Sequence, residues 1–130
     1  MTLEKKNNSR CLHHRISSTS RTSPGAVAVV YEDSSLTYQE LEDRASSLAC
    51  QLHLLGVGPE SLVPLCVGRS LEMIVGLYGI MKAGAAYVPI DPNFPQTRID
   101  FILKDIGSSI AVSNHEHMEK IQSTEHILNL

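Results

Sequence analysis

The stretch RSLEMIVGLYGIMKAG, residues 69–84, constrains the fold more than any other part of the chain. Its apolar side chains recur on nearly every face of a helix, leaving no polar stripe wide enough to face water. Such a helix is expected to be buried, not surface-lying. Ser70 is placed to cap its start, Glu72 suits the positive end and Lys82 the negative end. Gly76 and Gly79 would let a neighbouring backbone approach closely, and Gly84 is the stop. The next residues, AYVPI (86–90), read as a short strand that leaves through Asp91 and Pro92.

The rest of the chain repeats this punctuation. AVAVVY (26–31) reads as a buried strand and EDSS (32–35) as a turn. Thr37 and Glu40 form a T-x-x-E capping box, with Leu36 and Leu41 at the spacing of a hydrophobic staple. Leu41, Ala45, Leu48, Leu52 and Leu55 then make one apolar stripe, and Gly56 and Pro59 end the helix. LVPLCV (62–67) reads as a strand, although Pro64 removes a ladder donor. Pro95 opens a further helix without loss of an intrahelical bond, Ile99, Ile102, Leu103 and Ile106 form its buried face, and Gly107 closes it. SIAVS (109–113) and HILNL (126–130) are expected strands, with HEHMEKI (115–121) a short helix between them. Strand–helix alternation of this kind predicts an α/β fold: a parallel sheet flanked by helices, with right-handed crossovers.

Charge divides the chain unevenly. Residues 1–25 hold five cations, Lys5, Lys6, Arg10, Arg15 and Arg21, against Glu4. Residues 26–130 hold the remaining six cations and thirteen acids, a net charge of −7. The first 25 residues therefore read as a flexible basic tail or linker, ending in SSTSRTSPG, and order is expected from Ala26. An acidic body argues against nucleic acid as a partner. The longest apolar run, Met73–Met81, ends at Lys82, so no membrane partner is expected. The tail has no apolar run of signal-peptide length, and Cys11, Cys50 and Cys66 lack C-x-x-C spacing; a cytoplasmic protein with reduced thiols is expected.

Several residues invite a chemical reading beside a plainer one. His115 and His117 flank Glu116, with His126 a third imidazole, but no spacing forces these groups to converge on a metal, and solvated surface is the expectation. Asp91 stands where an α/β strand could present a carboxylate, or where a turn needs an acceptor. Tyr87 could stack on a purine, but core packing is the expected role. Cys50 and Cys66 sit in apolar contexts and are expected to be buried and inert. No G-x-G-x-x-G is present, so a Rossmann dinucleotide site has no support.

Two segments together carry a resemblance. LTYQEL, with Leu36, Thr37, Tyr38, Glu40 and Leu41, and MKAGAAYVPIDP, with Lys82, Ala83, Gly84, Tyr87, Pro89 and Asp91, resemble the first two core motifs of adenylation domains in nonribosomal peptide synthetases. These belong to the acyl-adenylate-forming, AMP-binding ligases. The text between and after the motifs is similar as well, so the resemblance covers about residues 24–113. Gly25, Pro64 and Ala85 depart from the family's usual pattern. The resemblance implies that residues 26–130 are the incomplete opening part of the large N-terminal subdomain. It implies a parent activity that joins an amino acid to ATP, with Mg2+, to give aminoacyl-AMP and pyrophosphate, and then passes the acyl group to a carrier-protein phosphopantetheine thiol. The implied partners are the remainder of the adenylation domain and a carrier-protein domain.

The Ser/Thr/Gly-rich phosphate loop with its lysine, the amino-acid pocket and the catalytic lysine of that family fall outside these 130 residues. The motif residues are therefore expected to be scaffold. No catalytic, cofactor-binding or metal residue is expected, and no cofactor for this chain alone. A fragment inactive by itself is one reading. The other is a non-catalytic binding or interaction module that retains the adenylation scaffold. A stand-alone nucleotide-binding α/β domain has only the strand–helix alternation behind it.

Overall fold

Local signals at the chain's helix ends are strong enough to set the frame. In the computed structural model, which describes residues 12–130, Thr37 and Glu40 make the expected reciprocal cap. The Glu40 backbone N–H donates to Thr37 Oγ1 at 3.1 Å, and the Thr37 N–H donates to Glu40 Oε1 at 2.8 Å. The helix they start, α2, spans Tyr38–Leu54 and buries Leu41, Ala45, Leu48 and Leu52, whereas Leu55, the expected last member of the stripe, caps the helix and is exposed. Helix α3 spans Leu71–Lys82; Ser70 Oγ accepts from the Met73 N–H, and no residue of the helix is fully exposed. Gly84 follows with φ +84°, a left-handed conformation that a Cβ disfavours. Helix α4, Gln96–Ile106, starts after Pro95 and closes at Gly107.

Four strands form the main sheet: β3 (Leu62–Cys66), β4 (Ala86–Ile90), β5 (Ile110–Ser113) and β6 (His126–Asn129). Their order is β4-β3-β5-β6 and every pairing is parallel. Pro64 stands opposite Val88 in the β3–β4 ladder, but the β3–β5 ladder involves only Leu65 and Cys66, so on the β5 side position 64 needs no donor. One face of the sheet is covered by α2 and α3, through Leu48, Leu52 and Ile80 against Val63, Leu65 and Val112. The other face is covered by α4, through Ile99 and Leu103 against Cys66, Ile90 and Ala111. The close approach at Gly76 and Gly79 is made by side chains rather than by a neighbouring backbone. A Cβ on Gly76 would lie 2.7 Å from Leu65 Cδ1, and one on Gly79 would lie 2.6 Å from Leu48 Cδ2.

Three expectations are corrected. AVAVVY is not a buried strand of the parallel sheet. It forms β1 (Val27–Tyr31), which pairs antiparallel with β2 (Ser34–Thr37) in a separate two-stranded hairpin. Val27 and Val30 are more than half exposed, while Ala28, Val29 and Leu36 face the cluster around Leu41 and Tyr78. A continuous β-branched run looks alike whether one face or both are covered, and strand β2 is hidden in the turn residues of EDSS. The segment 115–121 is not a regular helix: a turn leads into a single 3-10 turn, Met118–Ile121.

Order also begins before Ala26. Helix α1 spans Leu12–Thr22, so the expected flexible tail is corrected over those residues; residues 1–11 lie outside the described residues. The segment is rich in Ser and Thr, poor helix formers that compete for backbone groups. Here those hydroxyls bond inside the helix, Thr19 Oγ1 to the Arg15 carbonyl at 2.9 Å and Ser20 Oγ to the Ser17 carbonyl at 2.8 Å. Packing against α2 and α3 supplies what propensity does not.

Candidate functional site

The carboxyl ends of β3 and β4 border the pocket of greatest interest, about 480 Å³ in volume. Val67, Met73, Leu77, Tyr87 and Pro89 make its wall largely apolar, and Arg69, Asp91 and Asn93 add polar groups. Tyr87 is 39% exposed and lines this pocket, which overturns its expected place in the core. The reason is sheet position: β4 is an edge strand, so alternate side chains on it have no second layer to pack beneath. Asp91 Oδ1 accepts from the Asn93 N–H at 2.9 Å, so this carboxylate shapes its own turn as the strand gives way to Pro92 and α4.

The strand order reverses between β3 and β5, and the crevice beyond such a reversal is where open α/β sheets ordinarily take ligands. In this chain that crevice is occupied by the chain's own side chains. Ser113 Oγ, fully buried, donates to the Cys66 carbonyl at 2.6 Å. Asn114 Nδ2 donates to Glu72 Oε2 at 2.8 Å, while its Oδ1 accepts from the His117 N–H. His117 Nε2 stands 3.4 Å from where a Cβ on Gly68 would lie, closing the space above β3.

Lys82 is remote from both places. It ends α3 at the opposite end of the sheet, about 17 Å along the helix from the Arg69 end. Its Nζ pairs with Glu42 Oε1 of α2 at 2.6 Å and lies 5.1 Å from the centre of the Tyr78 ring. The Tyr78 hydroxyl also donates to Glu42. Ser17 of α1 completes the group, with its Oγ 2.6 Å from the Tyr78 hydroxyl and 3.2 Å from Glu42 Oε1. Burial works against ionisation of Glu42, but the hydrogen bonds from Lys82, Tyr78 and Ser17 outweigh it and hold the carboxyl below its ordinary value of 4.5. Burial, followed by the hydrogen bond to Glu42, pushes the Tyr78 hydroxyl well above its usual range.

The two motif segments are thus separated by function in the fold. Leu36 and Leu41 are buried beside Tyr78, Thr37 and Glu40 form the cap, and Tyr38 begins α2 half-buried. Lys82, Ala83 and Gly84 make the turn at one end of α3, whereas Tyr87, Pro89 and Asp91 reach the pocket at the other end of the sheet. His117 is half-buried near Glu116 and His126 is exposed near Glu125; no group of three metal-ligating side chains converges among the described residues. Cys66 is buried, and burial pushes its thiol up to about 11. Cys50 is exposed, against expectation, because the stripe it borders turns Ala49 inward and the next residue outward. Sequence reasoning misses Arg69 at the pocket and the Ser17–Glu42–Tyr78 group. Tyr78 and Lys82 are one helical turn apart and readable as a pair, but nothing local ties them to positions 17 and 42.

Comparison with known proteins agrees with this geometry. The family described as AMP-binding enzyme matches residues 16–129. Polyketide synthase PksN of Bacillus subtilis (strain 168) is 44% identical over 114 residues, which is 88% of this chain and 2% of that protein. A dimodular nonribosomal peptide synthase of Bacillus subtilis (strain 168) is 44% identical over 117 residues, 90% of this chain and 5% of that one. The chain therefore spans a small part of the curated relatives it matches. Among solved structures, the nonribosomal peptide synthetase FmoA3 in its α-methyl-L-serine-AMP-bound form superposes with a TM-score of 0.85 at 31% identity, over 91% of this chain and 14% of that one.

Proposed function

Since the chain belongs to the AMP-binding enzyme family, we propose that it forms the opening portion of an amino-acid-activating adenylation domain of the nonribosomal peptide synthetase kind. The whole domain would join an amino acid to ATP, with Mg2+, release pyrophosphate, and deliver the acyl group to the phosphopantetheine thiol of a carrier-protein domain. The observation that carries this reading is the match, over 91% of the chain, to a synthetase whose structure holds an amino acid joined to AMP.

Within that activity the part of this chain is to build and hold. Its motif side chains are engaged with one another: Lys82 with Glu42, Asp91 with its own turn, Thr37 with Glu40. The crevice at the strand reversal is filled by Ser113, Asn114 and His117. A transferring phosphoryl group needs preorganised donors aimed at developing charge, and these groups already serve the fold. The chain's contribution to catalysis is accordingly to fix the first layer against which the ATP- and amino-acid-holding parts are positioned.

A segment exchange tests this. Residues 16–129 replace the matching segment of an active homologous adenylation domain, and amino-acid-dependent ATP–pyrophosphate exchange is measured beside the isolated chain. The chimaera is expected to keep the host's amino-acid preference at a rate within about tenfold, a barrier change of about 1.4 kcal/mol, and the isolated chain to give no exchange above the blank. A folded chimaera with a changed amino-acid preference, or exchange by the isolated chain, would overturn the scaffold role.

A further inference from the structure

Among its described side chains, helix α1 meets α2 and α3 through a small polar group and the margin of one apolar cluster. Ile16 packs at the margin of the cluster formed by Leu41, Val75 and Tyr78, and among the described residues the two cores that flank the sheet contain no residue of α1. Facing Ile16's neighbour Ser17 is Glu42, about four-fifths buried, which also receives Tyr78 and Lys82 from α3. One carboxylate therefore gathers donors from α1 and α3 onto α2. An acceptor shared in this way is worth most while ionised, because charge-assisted hydrogen bonds are about twice as strong as neutral ones. Protonation turns an acceptor for three donors into a group with a proton of its own to place.

We propose that α1 is a charge-latched strap: the ionised Glu42 carboxylate holds it on the α2–α3 pair, and neutralising that carboxylate releases α1 while the sheet stays folded. The groups that set the charge of Glu42 are Lys82 and Tyr78 from α3 and Ser17 from α1, with Arg21 of α1 acting on Tyr78. Their net effect is to hold Glu42 below 4.5. The latch is thus fully engaged above the ordinary carboxylate range and is lost as pH falls through the lowered value. Removing Lys82 takes away the principal counter-charge, so release then occurs at higher pH.

Hydrogen exchange on the full chain, corrected for the intrinsic pH dependence of amide exchange, reads the latch directly. With Glu42→Gln at neutral pH, amides of residues 16–22 are expected to exchange at least about tenfold faster, with those of Val75–Ile80 unchanged. Ser17→Ala, which leaves the α2–α3 pair intact, is expected to act in the same direction. With Lys82→Met, the pH at which α1 loses protection is expected to rise. Unchanged protection of α1 in Glu42→Gln and Ser17→Ala would overturn the proposal, as would joint loss of α1 and α3. A release pH unmoved by Lys82→Met would overturn the role of charge.

Discussion

Gly79 and Leu48 show how finely single residues are fitted. A Cβ at position 79 would meet Leu48 Cδ2 at 2.6 Å, Cγ at 2.9 Å and Cβ at 3.0 Å, and the contact with Cβ is one that a change of Leu48 rotamer cannot relieve. Gly79→Ala is therefore expected to destabilise the chain by about 1–3 kcal/mol, in spite of the better helix propensity of alanine. Leu48→Ala alone opens a cavity and is expected to cost about 2–5 kcal/mol. The double variant should cost clearly less than the two changes added together, since each relieves the fault of the other. Denaturant midpoints for the four proteins measure this coupling, and strict additivity would show that the pair does not touch in solution.

Element boundaries depend on shorter-range chemistry, and they are the most legible part of the sequence. Thr37 and Glu40 announce the start of α2, and both bonds of their box are present. Thr37→Ala is expected to destabilise by about 0.5–2 kcal/mol, read as a lower thermal midpoint, because an orphan N–H at the helix start loses its acceptor. Ser70, Gly84, Pro95 and Gly107 are equally readable, since each acts on the backbone within a few residues of itself. What cannot be read depends on distant partners. The hairpin of β1 and β2 is apolar enough for a buried strand, and only its seat on α2 and α3 decides which face is covered. Helix α1 has linker composition and becomes a helix through Ile16 and Ser17. Of the pocket, Tyr87 and Asp91 stand out in the sequence, but local pattern points Tyr87 to the core because edge position on a sheet is a matter of strand order. Arg69 carries no local signal at all.

At the scale of the whole molecule, the strand order sets a sequence of dependence. Strands β3 and β4 match along five residue pairs, joined by α3 alone, whereas β3 and β5 share two pairs across a longer excursion of the chain. Chain connectivity favours the local closure first, because the shorter loop loses less entropy. During synthesis this has a temporal meaning. At about 5–20 residues per second, β4 leaves the ribosome roughly one to four seconds before β5 begins to follow it. The β3–α3–β4 unit can then settle in advance, with the Leu48 stripe of α2 already available to cover it. Protease challenge of stalled nascent chains is expected to find this unit resistant before β5 has emerged, and resistance that appears only once β6 is out would show that the sheet forms in one step. A chain that closes its β3–β4 pair early protects its own most apolar helix while the later strands are still being made.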